Sequence, residues 1–148
     1  MARDRSTKAR PSEAAGHERV REAHAQEIAE DYVEAIAEII EDRGTCRVVD
    51  LTRRFGVSHV TVSRTVGRLV KQELATTEPR QPIELTAKGR RLAEASKRRH
   101  ELVYRFLKAL GVEDGVAAMD AEGIEHHVSP ETLDRFRAFI ERDGKIFE

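Results

Sequence analysis

With 148 residues, 36% charged and 39% apolar, the chain has the length of one compact domain or two small ones and the composition of a soluble, strongly helical protein. No apolar run approaches the ~20 residues that span a bilayer, the stretch Met1–Ser6 lacks the apolar core of a secretory signal, and a single cysteine, Cys46, excludes an internal disulfide framework. No membrane association and a reducing, cytoplasmic setting are therefore expected, with Cys46 a small structural residue rather than a redox group.

The net charge of −1 conceals a segregation. Residues 45–100 hold 13 Lys and Arg against 5 Asp and Glu, whereas residues 1–44 hold 7 against 11 and residues 101–148 hold 6 against 11. A basic middle between acidic ends fits a phosphate-binding surface beside a cation-binding one.

In chain order, residues 1–21 contain six Lys and Arg, Pro11 and Gly16 but no apolar periodicity. They read as a mobile tail, a plain solvated extension in preference to one that touches DNA backbone non-specifically. From about Glu22 to Arg43, Ile28, Tyr32, Ile36 and Ile39/Ile40 recur at intervals of three and four, which predicts an amphipathic helix closed by Gly44. Asp31, Glu34 and Glu38 share a neighbouring face, and an acidic face alone is more often solvated than metal-bound.

Residues 46–72 have the pattern of a helix-turn-helix. Val48, Val49, Leu51 and Phe55 line a short first helix, Gly56-Val57 makes the turn, and Ser58 caps a second helix running to about Gln72. Val62, Val66, Leu69 and Val70 are expected to face inward. Hydroxyl and guanidinium groups on the other face suit base edges and phosphates in a major groove, and the start of the second helix is the part that reaches bases in this motif class. Ser58, His59, Thr61 and Val62 are the candidates for base contact, and Arg64, Thr65, Arg68 and Lys71 for the backbone. His59 is equally compatible with a plain exposed histidine.

Two short β-prone runs, Leu74–Glu78 and Ile83–Leu85, flank Pro79-Arg80-Gln81-Pro82 and predict a small hairpin, with Arg80 at its tip either meeting phosphate or solvated on a structural turn. Thr86 caps a long helix to about Leu110 whose apolar side is Leu92, Ala95, Leu102, Val103, Phe106, Leu107 and Leu110, closed by Gly111. A shorter helix follows over 113–127. Ser129-Pro130 starts a last one with Leu133, Phe136, Phe139 and Ile140 on its apolar side. The Phe106/Leu110 stripe and this last face exceed what a segment of about 50 residues buries alone, so a symmetric dimer is expected. The fold class is mainly α: a winged helix-turn-helix with a small β-hairpin wing over 22–86, then a helical metal-binding and dimerisation domain over 87–148.

Six residues in three of the predicted helices carry metal-binding chemistry: Asp31 and Glu34, His100, and Glu122, Glu125 and His126. The spacings i, i+3 and i, i+3, i+4 put each set on one helical face. Four carboxylates and two imidazoles converging would hold one or two divalent cations. Without a thiolate or thioether they favour a hard cation, although affinity alone still ranks nickel, copper and zinc above manganese. A lone histidine such as His100 beside an apolar stripe is ordinarily a core residue; the matching acidic set makes it a ligand candidate. Carboxylates of ordinary pKa stay ionised through the histidine range, which leaves the imidazoles as the donors expected to titrate.

The stretches Glu30-Asp31-Tyr32-Val33-Glu34, Arg99-His100-Glu101-Leu102 and Asp120-Ala121-Glu122-Gly123-Ile124-Glu125-His126-His127 resemble the ligand segments of the manganese transport regulators. These are the short members of the diphtheria-toxin-repressor family of metal-dependent repressors. The similarity runs from about His24 to Ile140, and Glu-Gly-Ile-Glu-His-His is its most specific part. It implies a manganese-responsive homodimeric repressor of metal-uptake genes that reads a palindromic operator and uses no organic substrate. It also implies two Mn(II) per subunit, with Fe(II), Co(II), Cd(II) or Zn(II) as surrogates. Asp31, Glu34, His100, Glu122 and Glu125 would surround one ion, and Glu34, Glu122, Glu125 and His126 the second, with Glu34 and Glu125 bridging. His127 would lie outside the ligand set. Iron-responsive relatives place methionine and cysteine where this chain has Asp31 and Glu122, which favours manganese over iron. The SH3-like carboxy-terminal domain of longer relatives is expected to be absent. Three other readings stand: an iron-responsive repressor of the same family, a binuclear metallohydrolase, and a metal-independent winged-helix regulator sensing an organic molecule. The second lacks a further nucleophile or base spaced to work with the metals.

Overall fold

The computed structural model describes residues 12–143. Helix α1 (Glu13–Arg43) leads into α2 (Val48–Phe55) and α3 (His59–Lys71), then strands β1 (Ala75–Thr76) and β2 (Glu84–Leu85), and helices α4 (Ala87–Ala109), α5 (Asp114–Ile124) and α6 (Pro130–Asp143). A 3-10 turn, Glu125–His127, continues α5. None of the described helices is long and apolar enough to cross a membrane.

The helix boundaries follow from local chemistry. Ser58 and Thr86 accept hydrogen bonds from the Thr61 and Gly89 amides at the starts of α3 and α4, satisfying donors that have no partner inside the helix. Gly44 and Gly56 end α1 and α2 with φ of 88° and 63°, a left-handed conformation that only glycine adopts without steric cost. Ser12 caps α1, so the helix begins nine residues before the expected start. Residues 13–21, expected in the tail, are exposed helix instead. Ala14, Ala15, Glu18, Arg19 and Arg21 have high helix propensity, which extends the helix without an apolar stripe to betray it. The rest of the predicted tail, residues 1–11, lies outside the described residues.

The main core gathers Tyr32, Val33, Ile36 and Ile39 of α1, Leu51 of α2, Val62, Val66 and Leu69 of α3, and Leu74, Ile83 and Leu85 of the hairpin. The hairpin is antiparallel, with Ala75 opposite Leu85, and Ile83 bridges back to Cys46. Burial pushes the Cys46 thiol up to about 11, which suits the structural role expected of it. Val70, expected inside, is 37% exposed.

The last helix packs on the second half of α4. Phe106 stacks on Phe136 with centroids 3.8 Å apart and meets Phe139 edge-on at 5.5 Å. The stripe expected to be left for a partner is therefore partly covered within the chain. Among the described residues, the large apolar side chains that remain outside in this half are Leu110, Val116, Met119 and Ile124.

Helix α4 approaches the wing through a glycine. A Cβ at Gly89 would sit 1.9 Å from the Leu74 carbonyl oxygen, whereas Thr86 beside it donates to the Leu74 and Glu73 carbonyls. Gly89→Ala is expected to destabilise the protein by roughly 3 kcal/mol in urea unfolding, because backbone rather than a flexible side chain must move. Gly67→Ala, in open space on α3, is the control and should gain up to about 1 kcal/mol. Equal stabilities of the two variants would contradict the close approach.

Candidate metal centre and nucleic-acid interface

Helix α1 brings Glu27, Glu30, Asp31 and Glu34 to the start of the 3-10 turn and the middle of α4. His100 and Arg99 come from α4, Glu122 from α5, and Glu125 and His126 from the turn. The turn tightens the chain after α5, so two consecutive residues, Glu125 and His126, both reach inward.

Glu125 lies at the centre and is 1% exposed. Its Oε2 is 3.1 Å from His100 Nδ1, and its Oε1 is 3.2 Å from His126 Nε2. Glu122 Oε1 stands 3.5 Å from the same His100 nitrogen. Asp31 Oδ1 is 3.1 Å from His126 Nε2. Two groupings with metal-ligand spacing result, His100/Glu122/Glu125 and Glu27/Asp31/His126. Asp31 thus falls with His126, not with His100 as the resemblance implied. Glu34 borders a cavity of about 220 Å³ together with Asp31, Glu38, Arg54, Phe55 and Glu122, and its Oε2 accepts a 2.8 Å hydrogen bond from Ser96 Oγ.

The donor set fits a divalent cation. His100 Nδ1 and Glu125 Oε2 are buried and face one another, yet neither makes an aligned hydrogen bond among the described residues. Buried polar groups normally find partners, and these two lie at metal-ligand spacing together with Glu122. Oxygen and imidazole donors from several helices suit manganese-class ions, for which sulfur is not required.

Electrostatics show the cost of this crowding. Burial, with the charges of Glu122, Glu34 and Asp31 added, pushes Glu125 up to about 8. Burial also raises Asp31, helped by Glu27, Glu122 and Glu34 and opposed by His126. Glu30 behaves oppositely: burial would raise it, but the Arg99 guanidinium beside it and hydrogen bonds from His126 and Gln26 outweigh that and hold it below the usual carboxylate value. The expectation that only imidazoles titrate near neutrality is corrected here, because a carboxylate buried among like charges keeps its proton far above its ordinary range.

On α3, Ser58, His59, Thr61, Arg64, Arg68 and Lys71 are exposed. Val62 is 0% exposed and belongs to the core, and Thr65 is buried with its hydroxyl donating to the Thr61 carbonyl. Neither is placed to meet DNA. Val60, which the sequence reading passed over, is 64% exposed beside His59, and Ser63 is also outside. Ser63 lies one helical step, about 100°, from Val62, and Val60 lies two steps, about 200°, from it. Arg80 sits at the exposed wing tip with φ of 66°, and its carbonyl accepts from Arg47 Nη1 at 3.4 Å.

Two domain families match in series. Residues 24–83 match the N-terminal DNA binding domain of iron dependent repressors, and residues 86–143 match their metal binding and dimerisation domain. The transcriptional regulator MntR of Escherichia coli O6:H1 is 46% identical over 129 residues, covering 87% of this chain and 83% of that protein. MntR of Salmonella typhimurium is 45% identical over 133 residues, covering 90% and 85%. The chain belongs to the diphtheria-toxin-repressor family, as a regulator of the MntR type.

Among solved structures of this family, a manganese-dependent transcriptional repressor in complex with manganese aligns with a TM-score of 0.69 and 33% identity over 76% of this chain. The manganese regulator SloR aligns with a TM-score of 0.67 and 29% identity over the same share. The chain spans about half the length of these solved chains, 52% and 53%.

Glu27, Glu30, Ser96 and Arg99 were not assigned from the sequence. Glu27 had a signal, since it lies one turn before Asp31. Glu30 and Arg99 adjoin ligand candidates, but no spacing rule marks a buried ion pair formed between two distant helices.

The Glu125 shift has a defined sign. A carboxyl raised from 4.5 to about 8 on folding favours the metal-free fold at low pH, and that contribution is lost as pH climbs through this interval. A cation must displace the same proton. At about pH 6.5, Mn²⁺ binding followed by calorimetry in buffers of different ionisation enthalpy is expected to release a proton that Glu125→Gln no longer releases. Identical proton release by both proteins would place the titrating group elsewhere.

Proposed function

We propose that the chain is a manganese-responsive DNA-binding transcriptional regulator that represses metal-uptake genes, acting in the cytoplasm as a homodimer on a palindromic operator. Membership of the MntR type and the oxygen/imidazole donor set support this reading. The observation that carries it is Glu125, buried between His100 and His126 with one oxygen toward each.

Asp31, Glu125 and His126 would hold one ion, and Glu34, His100, Glu122 and Glu125 a second, with Glu125 between them. Fe(II), Co(II), Cd(II) and Zn(II) would be surrogates with the same donors. When bound, Mn²⁺ would supply positive charge to offset the crowded carboxylates. Asp31 and Glu34 would thereby tie α1 to His100 on α4 and to Glu122, Glu125 and His126.

Helix α1 carries this to the DNA reader. Tyr32, next to Asp31, stacks on Phe55 of α2 with centroids 4.4 Å apart, and Arg54 of α2 donates to Glu38, one turn beyond Glu34. Fixing α1 therefore fixes the helix-turn-helix. In a dimer this narrows the range of separations between two recognition helices and favours the pair able to enter successive major grooves. Leu110, Val116, Met119 and Ile124 offer the apolar surface for pairing. Ser58, His59, Val60 and Thr61 would meet base edges, with Val60 suited to a thymine methyl. Arg64, Arg68, Lys71 and Arg80 would meet the backbone. The same reading makes the chain a regulator rather than an enzyme.

Fluorescence anisotropy with promoter DNA tests it. Mn²⁺ added after chelation is expected to tighten binding, and chelator-insensitive binding would contradict it. Arg64→Ala and Lys71→Ala should each weaken binding and flatten the log-affinity against log-salt slope by about one unit, with Mn²⁺ affinity unchanged. Unchanged slopes in both variants would move the DNA surface away from α3.

A further inference from the structure

Glu30 is a carboxylate in the core, 4% exposed, and the ligand sets above leave it unused. Its Oε2 accepts from His126 Nδ1 at 2.7 Å and lies 2.7 Å from Arg99 Nη2. Its Oε1 accepts from Gln26 Nε2 at 3.1 Å. An ionised carboxylate only accepts, so the hydrogen between Glu30 and His126 belongs to Nδ1. In the neutral ring that leaves Nε2 with a lone pair. Nε2 in turn faces Asp31 Oδ1 and Glu125 Oε1 at 3.1 and 3.2 Å. A lone pair among carboxylate oxygens is a set of donors waiting for a cation.

We propose that Glu30, held by Arg99 and Gln26, is a positioning residue that fixes the tautomer and ring orientation of His126, with Nε2 directed at the metal centre. The inference rests on the reading of His126 as a ligand and extends it to residues that touch no ion. Consecutive side chains of an α-helix diverge by about 100°, and two neighbouring pairs, in α1 and α4, use this divergence. Glu30 and Asp31 grip opposite nitrogens of one imidazole. Arg99 serves Glu30 while His100 turns toward Glu122 and Glu125. Glu125 and His126 face each other across the same space. Arg99 has a second function in this arrangement: its charge offsets that of Glu30, so the support for His126 adds no net negative charge to a centre already crowded with it. Metal-bound histidines generally gain basicity and a fixed orientation from such a carboxylate.

Imidazole ¹⁵N NMR on the metal-free protein reads the tautomer directly. Wild-type His126 is expected to carry its proton on Nδ1. A proton on Nε2 would overturn the proposal whatever the variants do. Glu30→Ala is expected to give a mixture of tautomers and a roughly 10- to 100-fold loss in Mn²⁺ affinity, read by EPR of free Mn²⁺. Glu30→Gln, whose side-chain oxygen still accepts from Nδ1–H, should retain the wild-type tautomer and most of the affinity. His126→Ala separates the two levels of the argument. Wild-type Mn²⁺ binding in His126→Ala would remove His126 as a ligand and with it the basis of the inference. Loss of binding in His126→Ala, with unchanged tautomer and affinity in Glu30→Ala, would make Glu30 a structural carboxylate and refute the positioning role alone.

Discussion

The structure depends on one unfavourable arrangement: a buried carboxylate, Glu125, surrounded by Asp31, Glu34 and Glu122. Nothing in the fold relieves that repulsion fully. The protein answers in part by keeping a proton on Glu125 and in part by facing it with two imidazoles. Buried charge is weak evidence for stability and stronger evidence for a use. On the proposed function it would place a cation-dependent link at the point where α1, α4 and the turn after α5 meet, so that the DNA-binding and dimerisation domains would share one charge balance.

That link reaches the recognition helix by packing rather than by a long relay. Helix α1 spans both domains: its Val33, Ile36 and Ile39 are core residues of the winged helix, while Glu30, Asp31 and Glu34 turn toward α4 and the turn. Tyr32 on Phe55 and Glu38 with Arg54 secure α2 against the same turns of α1. On the proposed function, displacing α1 would displace the reader. Charge segregation keeps the two activities apart, because Arg64, Arg68 and Lys71 lie on the exposed side of α3 and the acidic centre lies behind the core.

Much of this was legible in the sequence because local rules dominate locally. Ser58 and Thr86 cap helices as their types require, Gly44 and Gly56 end them, and the i, i+3, i+4 spacing of Glu122, Glu125 and His126 places them together. The misreadings share a cause, which is that helical periodicity leaves one residue of ambiguity. Val62 and Val60 differ by less than a turn, and only the packing of α3 in the core, against α2, decides which is buried. Thr65 was read as polar and outward, but its hydroxyl is satisfied by the helix's own backbone. The early start of α1 escaped notice because propensity without an apolar stripe leaves no periodic trace. The raised Glu125 and the Glu30–Arg99 pair depend on groups far apart in sequence, and no local pattern encodes them.

The central claim is that metal binding at the acidic junction orders the DNA-reading domain through α1. Hydrogen exchange by mass spectrometry on the full chain, chelated and then saturated with Mn²⁺, addresses it directly. Amides over residues 27–38 and 122–127 should slow together, and those of α2 and α3 should slow with them although no ligand candidate lies in either helix. Protection confined to 122–127, with α1, α2 and α3 exchanging as before, would contradict the account.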